Sequence, residues 1–357
     1  MEILKSKYSL GLGAFRLILA WFVIASHCIG FYDLFAIDYG TVAVNSFFFI
    51  SGFLMPLTYE KNYSSFGIKT AVYKFYLNRF TRIYPIYWAS LLIFVVILPV
   101  LSSIYKGNLT LDILNKFEYS FLIWLQNILL VGLNQSIFWG SYIRLNNPAW
   151  TLDVELQYYL ILPFILFFYK SKKSLVSLIL ITFSMISLFI YFHSFGLVDI
   201  DRSLIAWAFF FFLGFFFYKI GVFKVNNKNL IVIAIFVILL FVSPVFIENI
   251  LTRNFLISLS FILISAPLLM MQMNYQFKKS DKILGDLSYP TYILHFYFLY
   301  YGNKVVSFIN LDIGHVGTFF LLLSLNIFFS TIGGYLALRF IGDPIDLIRN
   351  KIRGKSV

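Results

Sequence analysis

The chain has 357 residues, of which 60% are hydrophobic and only 12% charged, and its mean hydropathy is +0.85. A soluble domain is roughly half apolar and about a quarter charged, so this composition excludes an ordinary soluble protein and predicts a single-domain polytopic membrane protein. The net charge is +12, and the single cysteine, Cys28, excludes an intrachain disulfide framework.

Ten apolar segments are long enough to cross a bilayer, which needs about 20 apolar residues per helix. In chain order they are 12–32, 41–58, 83–104, 150–169, 174–193, 204–220, 229–248, 254–273, 289–308 and 315–338. The first segment is long for a signal-peptide core and no small-residue cleavage site follows it, so we interpret it as a retained span. An eleventh segment, 117–133, has Gln126 and Asn127 at its centre.

The distribution of Lys and Arg predicts the topology. If the N-terminus is cytoplasmic and 117–133 does not cross, 21 of the 28 basic residues lie inside, six lie outside and Arg16 lies in the membrane. Such an asymmetry follows the positive-inside rule, and it would be lost if 117–133 crossed. We therefore predict an all-α bundle of about ten transmembrane helices with both termini cytoplasmic. The single domain, 1–357, would have an outer loop, 105–149, with a re-entrant or interfacial segment, and a basic cytoplasmic tail, 340–357.

This topology also explains the basic charge without a nucleic-acid partner. Basic residues close to the membrane can still bind anionic lipid or an anionic cytosolic ligand.

The first span, in the stretch FRLILAWFVIASHCIGF, contains Arg16 and His27. Eleven helical steps return to within about 20° of the same direction and rise about 16 Å, so both residues share one face. Ionisable residues within spans are rare and usually functional. Two plainer interpretations stay open: Arg16 snorkels to the inner headgroups, and His27 forms an interhelical hydrogen bond.

Span four begins with PAWTLDVELQYY and places Glu155 about five residues into the membrane, at about the depth expected for His27. A carboxylate there must be paired or functional. Asp153 is nearer the surface and is interpreted as solvated or capping. On span two, Gly52 is expected to permit close helix packing.

At the cytoplasmic start of span three, Arg79 and Arg82 are three residues apart and therefore share a helix face. Two guanidinium groups offer forked donors suited to phosphate oxygens, although simple positive-inside anchoring is the alternative. The neighbouring Tyr84, Tyr87 and Trp88 are typical of an interfacial aromatic belt.

Together these segments resemble the membrane-bound acyltransferase family 3 over nearly the whole chain. The motifs that carry the resemblance are, in order, Arg16 and His27; Phe47, Phe48, Ser51, Gly52 and Phe53; Arg79, Arg82, Ile83, Tyr84 and Pro85; Trp150, Thr151, Leu152 and Glu155; and Ser288, Tyr289, Tyr292 and His295. Two features depart from the family. Asn45 stands where members often have an acidic residue, and we expect no fused extracytoplasmic esterase-like domain.

The resemblance implies an enzyme of the bacterial inner membrane, an acyltransferase of groups other than aminoacyl. It would move an acyl group, expected to be acetyl, from cytoplasmic acyl-CoA to a hydroxyl of a cell-surface polysaccharide, such as O-antigen or exopolysaccharide, or its lipid-linked precursor. No metal is implied. The protein would complete the transfer itself or pass the acyl group to a separate extracytoplasmic partner.

In this interpretation Arg16, Arg79 and Arg82 hold the CoA phosphates. His27 acts as general base, and Glu155 orients the imidazole or takes the proton. A covalent acyl-histidine stays open as an alternative.

Weaker candidates complete the predicted site. Asn45 and Ser51 are candidates for the oxyanion donor, and Trp150 and Tyr292 are candidates for lining the site. His295 belongs to the same weak group, although a buried structural histidine is the better interpretation of its position in span nine.

Two other functions are compatible with polar groups in a membrane bundle. A transporter or flippase would also carry intramembrane Arg, His and Glu, but no inverted repeat is visible in the sequence. A membrane glycan polymerase would need a lipid-linked sugar and no thioester, so dependence on CoA separates it from an acyltransferase.

Overall fold

The computed structural model describes residues 11–28, 38–97, 121–134, 144–171, 173–192, 202, 204–220, 250–274, 278–309 and 314–354. Every regular element in these ranges is a helix, which confirms the predicted all-α class. The helices are α1 (Leu12–Ser26), α2 (Tyr39–Tyr63), α3 (Ile68–Leu91), α4 (Phe121–Leu129), α5 (Ala149–Ser171), α6 (Lys173–Phe192), α7 (Leu204–Ile220), α8 (Ile250–Asn274), α9 (Lys279–Ile309), α10 (Gly314–Ala337) and α11 (Asp343–Ile352). Two π-helical stretches, Leu92–Ile97 and Leu338–Gly342, extend α3 and join α10 to α11.

Each predicted span overlaps one of these helices, except 229–248, which falls outside the described residues. Within the described ranges, five helical stretches are long and apolar enough to cross a membrane, and α1 and α7 are shorter apolar helices. The chain is thus a helical membrane protein. The number of crossings and the cytoplasmic placement of the termini stay predictions.

Side-chain contacts fix the relative directions of the helices. Helices α1, α3 and α9 run parallel to one another, and α2, α5, α7 and α8 share a common direction. Helix α6 runs antiparallel to α7, and α10 runs antiparallel to α9. The contacts that establish this are Gly13 with Asp281, His27 with His295, Ile83 with Tyr289, Phe94 with Tyr297, Phe48 with Trp207, Glu60 with Tyr218, Trp150 with Trp207, Tyr169 with Phe215, Asp38 with Asn254, Asn45 with Ser258, Phe183 with Phe212, Ser187 with Ala206, Thr291 with Gly334, and Phe298 with Phe329.

The short helix α4 lies in the loop between predicted spans three and four. The nine residues of α4 make a helix of about 13 Å, less than half the thickness of a bilayer core. Its last carbonyls, at residues 127–129, accept hydrogen bonds from Tyr87, Trp88 and Tyr84 on α3. The aromatic side chains that the sequence assigned to an interfacial belt therefore satisfy the open C-terminal end of α4.

Asp153 supports the turn that follows α4. It is only 2% exposed, and its Oδ2 accepts the backbone N–H groups of Leu133 and Asn134 at 2.6 and 3.2 Å. Its Oδ1 accepts from Gln157 Nε2 at 2.9 Å. The solvated interpretation of Asp153 is therefore wrong, and the carboxylate caps the backbone of a turn.

Helices α2 and α7 approach closely at two glycines. A Cβ atom on Gly52 would lie 1.9 Å from the carbonyl oxygen of Phe211, and one on Gly214 would lie 2.0 Å from that of Phe49. Only a residue without a side chain lets the two backbones meet in this way. The predicted packing role of Gly52 is confirmed.

The N-terminal end of α1 is anchored on α9 by Asp281, whose side chain is buried. Its Oδ1 accepts from the amides of Gly11 and Ala14 at 2.7 and 3.0 Å, and its Oδ2 accepts from the amide of Gly13 at 3.0 Å. A helix leaves its first four N–H groups without intrahelical partners, and a carboxylate at this end is favoured by the helix dipole.

Candidate active site

A cavity of about 100 Å³ lies between α1, α2, α3, α5 and α9. It brings together the four charged residues of the predicted site, Arg16, Arg79, Arg82 and Glu155, and two of its weaker candidates, Ser51 and Tyr292. The other lining residues are Val44, Phe47, Phe48, Ile50, Leu54, Met55, Thr151, Leu152, Tyr159, Ser288 and Tyr289.

The cavity is narrow and elongated along the helix axes. Val44 and Met55 both line it and are eleven residues apart on α2, a rise of about 16 Å. Along α5, Thr151 and Tyr159 are separated by about 12 Å. We call the end at Arg79 and Tyr159 the arginine end, and the end at Thr151 and Tyr292 the tyrosine end.

The arginine end holds cations that lack hydrogen-bonding partners in the part of the chain that the structure describes. Within the described ranges, Arg16, Arg79 and Arg82 donate no hydrogen bond and form no ion pair. Arg79 is only 7% exposed, and its guanidinium lies over the rings of Phe75 and Tyr159 at 5.2 and 5.0 Å. Since each guanidinium offers five N–H donors and buried cations are costly without a partner, this end is suited to an anion with several oxygens.

Glu155 lies in the same cavity. Its Oε1 accepts from Ser51 Oγ at 3.2 Å and from Tyr159 OH at 2.6 Å. In the part of the chain that the structure describes, no hydrogen bond joins Glu155 to His27, so the expected pairing at a shared depth is not what the helices produce. The sequence analysis missed Tyr159, although its spacing of four residues from Glu155 on α5 could have indicated the pair.

At the tyrosine end, the hydroxyl of Tyr292 shares a hydrogen bond of 2.9 Å with Thr151 Oγ1. The Tyr292 ring packs against Phe47 at 6.2 Å and against His295 at 5.8 Å between ring centroids. Both Tyr292 and His295 belong to α9, and their spacing of three residues places them on the same face of that helix. This end is therefore neutral and aromatic.

His27 lies beyond the tyrosine end, as the residue that follows α1, and its side chain is exposed. Its ring stacks on the ring of His295, with centroids 5.3 Å apart and planes 18° apart. His295 is completely buried, and its Nδ1 shares a hydrogen bond with the carbonyl oxygen of Tyr292. Its Nε2 has no hydrogen-bond partner among the described residues. A continuous line of rings, Tyr292, His295 and His27, thus leads from the cavity to His27.

The remaining weak candidates lie outside the cavity lining. Asn45 is completely buried and its Nδ2 donates to Ser258 Oγ at 2.8 Å, which ties α2 to α8. The ring of Trp150 packs on the ring of Trp207, with centroids 5.5 Å apart, and the Arg202 guanidinium lies over the Trp150 ring, 5.6 Å from its centroid. The amide donor of Asn45 is therefore engaged in helix packing.

Two further cavities adjoin the arginine end. A cavity of about 30 Å³ shares Arg82 and Tyr289 and continues toward α11. A larger one, of about 570 Å³, shares Arg79 and Tyr159 and lies between α3, α5 and the turn after α4. Across the described ranges, no group of three or more His, Cys, Asp and Glu side chains is arranged to hold a metal ion.

Comparisons with known proteins agree with the geometry. The family described as an acyltransferase domain, acyltransferase family 3, matches residues 10–339. A stretch of 145 residues is 34% identical to an uncharacterized protein of Haemophilus influenzae, and it covers 38% of this chain and 54% of that protein. The chain thus spans about half the length of this curated relative. No solved structure matches. Because the family match extends over nearly the whole helical bundle and includes every residue of the cavity, the chain belongs to acyltransferase family 3.

Proposed function

We propose that the protein is a membrane O-acyltransferase of the bacterial inner membrane. It moves an acyl group, expected to be acetyl, from cytoplasmic acyl-CoA to a hydroxyl of a cell-surface polysaccharide or its lipid-linked precursor. One observation carries the proposal: an elongated cavity has at one end three guanidinium groups without hydrogen-bonding partners among the described residues, and its other end leads through Tyr292 and His295 to His27.

The two ends of the cavity match the two ends of the donor. Acyl-CoA has phosphates at one end, a thioester at the other, and a pantetheine arm between them. Arg16, Arg79 and Arg82 bind the phosphates through charge-assisted hydrogen bonds, which are about twice as strong as neutral ones. Because Arg16 and His27 are about 16 Å apart along α1, the thioester is held away from the arginines, toward the histidine.

His27 performs the proton transfer. A neutral imidazole nitrogen takes the proton of the acceptor hydroxyl as the hydroxyl oxygen attacks the thioester carbonyl carbon. The C–S bond then breaks, and the imidazolium returns the proton to the departing CoA sulfur. The exposure of His27 gives an acceptor access to this nitrogen, and stacking on the buried His295 ring fixes the orientation of the imidazole.

Glu155 acts at the arginine end. Its carboxylate offsets part of the positive charge of the three guanidinium groups, and its bonds from Ser51 and Tyr159 leave Oε2 without a hydrogen bond inside the described structure. A partly neutralised site binds a polyanion and still releases it after transfer, because the net attraction is reduced.

Mass spectrometry of surface glycans tests the proposal. Cells would carry the wild-type protein, His27→Ala, His315→Ala or no protein, with membrane insertion verified by immunoblot. His315 is the matched control, because it is an exposed histidine at the start of α10. We expect an acyl mass increment with the wild type and with His315→Ala, and none with His27→Ala.

Two outcomes would contradict the proposal. If the increment persists in a normally inserted His27→Ala, His27 is structural and the base lies elsewhere. If the wild type produces no acyl increment, a surface glycan is not the acceptor.

A further inference from the structure

We propose that α11 completes the donor site and that Arg349 and Arg353 bind the 3′-phosphate on the ribose of CoA. This inference rests on the proposed function. Helix α11 follows residue 339, where the family match ends, so the family assignment says nothing about it.

Two residues of the main cavity also line a second cavity that adjoins α11. The cavity of about 30 Å³ is lined by Arg82 and Tyr289, which also line the main cavity, and by Asp346 and Arg349 of α11. A ligand whose phosphates contact Arg82 therefore has α11 as its next neighbour.

Helix α11 is held against α3 by polar contacts. Arg349 Nε donates to Asn78 Oδ1 at 3.0 Å, and Asn78 Nδ2 donates to the hydroxyl of Tyr63 on α2 at 2.6 Å. Lys74 Nζ donates to the carbonyl oxygen of Ile352 at 3.1 Å. Since Arg349 also lines the small cavity with Arg82, these contacts place Arg349, and Arg353 just after α11, near the arginines of the main cavity.

Two guanidinium groups converge here on one neutral oxygen. Arg353 Nη2 reaches the same Asn78 Oδ1 at 3.5 Å, the long limit of a hydrogen bond. Arg353 Nε is buried and has no partner among the described residues. Arg349 pairs with Asp346, and among the described residues Arg353 pairs with no carboxylate. Like charges that meet on a neutral acceptor repel each other, so an anion is the ligand that this arrangement favours.

The position of α11 indicates which phosphate of CoA its arginine and Arg353 bind. The cavity arginines lie nearest the pantetheine path and therefore take the diphosphate. Arg349 and Arg353 lie further from the cavity, beyond Arg82, and so face the phosphate that is most distant from the pantetheine arm. In CoA that phosphate is on the ribose.

Binding of CoA and of dephospho-CoA, which lacks only the 3′-phosphate, tests the inference. Affinities would be measured by calorimetry on the full-length protein in lipid nanodiscs, for the wild type, Arg353→Gln and Lys351→Gln. Lys351 is the control, because it is an exposed cation on the same helix. We expect the wild type and Lys351→Gln to bind CoA about tenfold more tightly than dephospho-CoA, and Arg353→Gln to lose that preference.

The results separate this inference from the proposed function. If the wild type binds both compounds equally, α11 does not recognise the 3′-phosphate, and the inference is wrong. Acyl-CoA would remain the proposed donor. If neither compound binds, the proposed function and this inference both fail. If Arg353→Gln weakens both compounds equally, the arginine is structural and the inference is wrong. Should Arg353→Gln not fold, Arg353→Lys retains the charge without the forked guanidinium. We then expect a preference for CoA over dephospho-CoA that is smaller than the wild-type preference but not lost.

Discussion

The arginine end and the tyrosine end of the cavity are built from opposite kinds of side chain. At the arginine end, guanidinium groups from α1 and α3 lack hydrogen bonds to described residues, and Glu155 is the single carboxylate in the cavity lining. At the tyrosine end, Tyr292 and Thr151 satisfy each other and carry no charge. A ligand that is anionic at one end and neutral at the other can bind in only one orientation. Under the proposed function, this difference means that charge would select the donor and its direction, while the reaction would take place in a neutral setting.

The substitution with the largest expected effect is His27→Ala, which removes the proposed base beyond the tyrosine end. General base catalysis contributes about 10²–10⁴-fold, so we expect a loss of transfer rate of at least about 100-fold with CoA affinity changed by less than about twofold. Transfer of radiolabelled acyl groups and CoA titration would be measured on the same preparation. Loss of CoA affinity together with rate would show that the two ends do not have separate roles.

Arg82→Gln tests the arginine end. Removing one charge-assisted contact costs about 1.5–3 kcal/mol, so we expect KM for acyl-CoA to rise about 10–100-fold with a much smaller change in kcat. The control is Arg339→Gln, an exposed arginine whose partner is Asp343 four residues on, since such surface pairs contribute little. An unchanged KM in Arg82→Gln would remove this arginine from the donor site.

Tyr292→Phe tests the tyrosine end with a smaller effect. The substitution removes the hydroxyl bonded to Thr151 but retains the ring against Phe47 and His295. We expect kcat to fall by about fivefold, since a neutral hydrogen bond contributes about 1 kcal/mol, and KM for the donor to stay constant. A raised KM with a normal kcat would place phosphate binding at this end and reverse the proposed direction.

Asp281→Asn tests the anchor of α1 on α9, which supports both ends of the cavity. Its carboxylate accepts three backbone amides at the start of α1, and the neutral amide retains only part of this capping. We expect the free energy of unfolding to fall by about 1–2 kcal/mol, seen as a lower Tm in detergent, with KM for the donor unchanged. Asp343→Asn, in an exposed pair, is the control. A wild-type Tm in Asp281→Asn would show that this anchor is dispensable.

Helical periodicity and charge were sufficient to predict part of the site. The face shared by Arg79 and Arg82, and the unusual presence of Arg16 in an apolar run, follow from spacing and from the cost of a charge in a membrane. The structure places all three in one cavity. The helix face that Arg16 and His27 share follows from the same calculation of helical rotation.

Other features could not be read from the sequence, because they depend on how far each helix is shifted along its axis. Depth counted from span boundaries predicted Glu155 level with His27, but the axial offset between α1 and α5 places Glu155 with the arginines. The role of Asp153 depends on a turn twenty residues earlier in the chain. The pairing of His27 with His295 joins α1 to α9, and sequence spacing carries no information on such distant partners.

The attachment of α1 to α9 restricts how substrates can move through the protein. Asp281 fixes the two helices at their beginnings, Gly13 and Gly285 lie in contact, and the stacked histidines join them near the other end of α1. These contacts join α9 to both ends of α1. Under the proposed function, we expect a conformational change that admits CoA or releases the product to leave this pair of helices together.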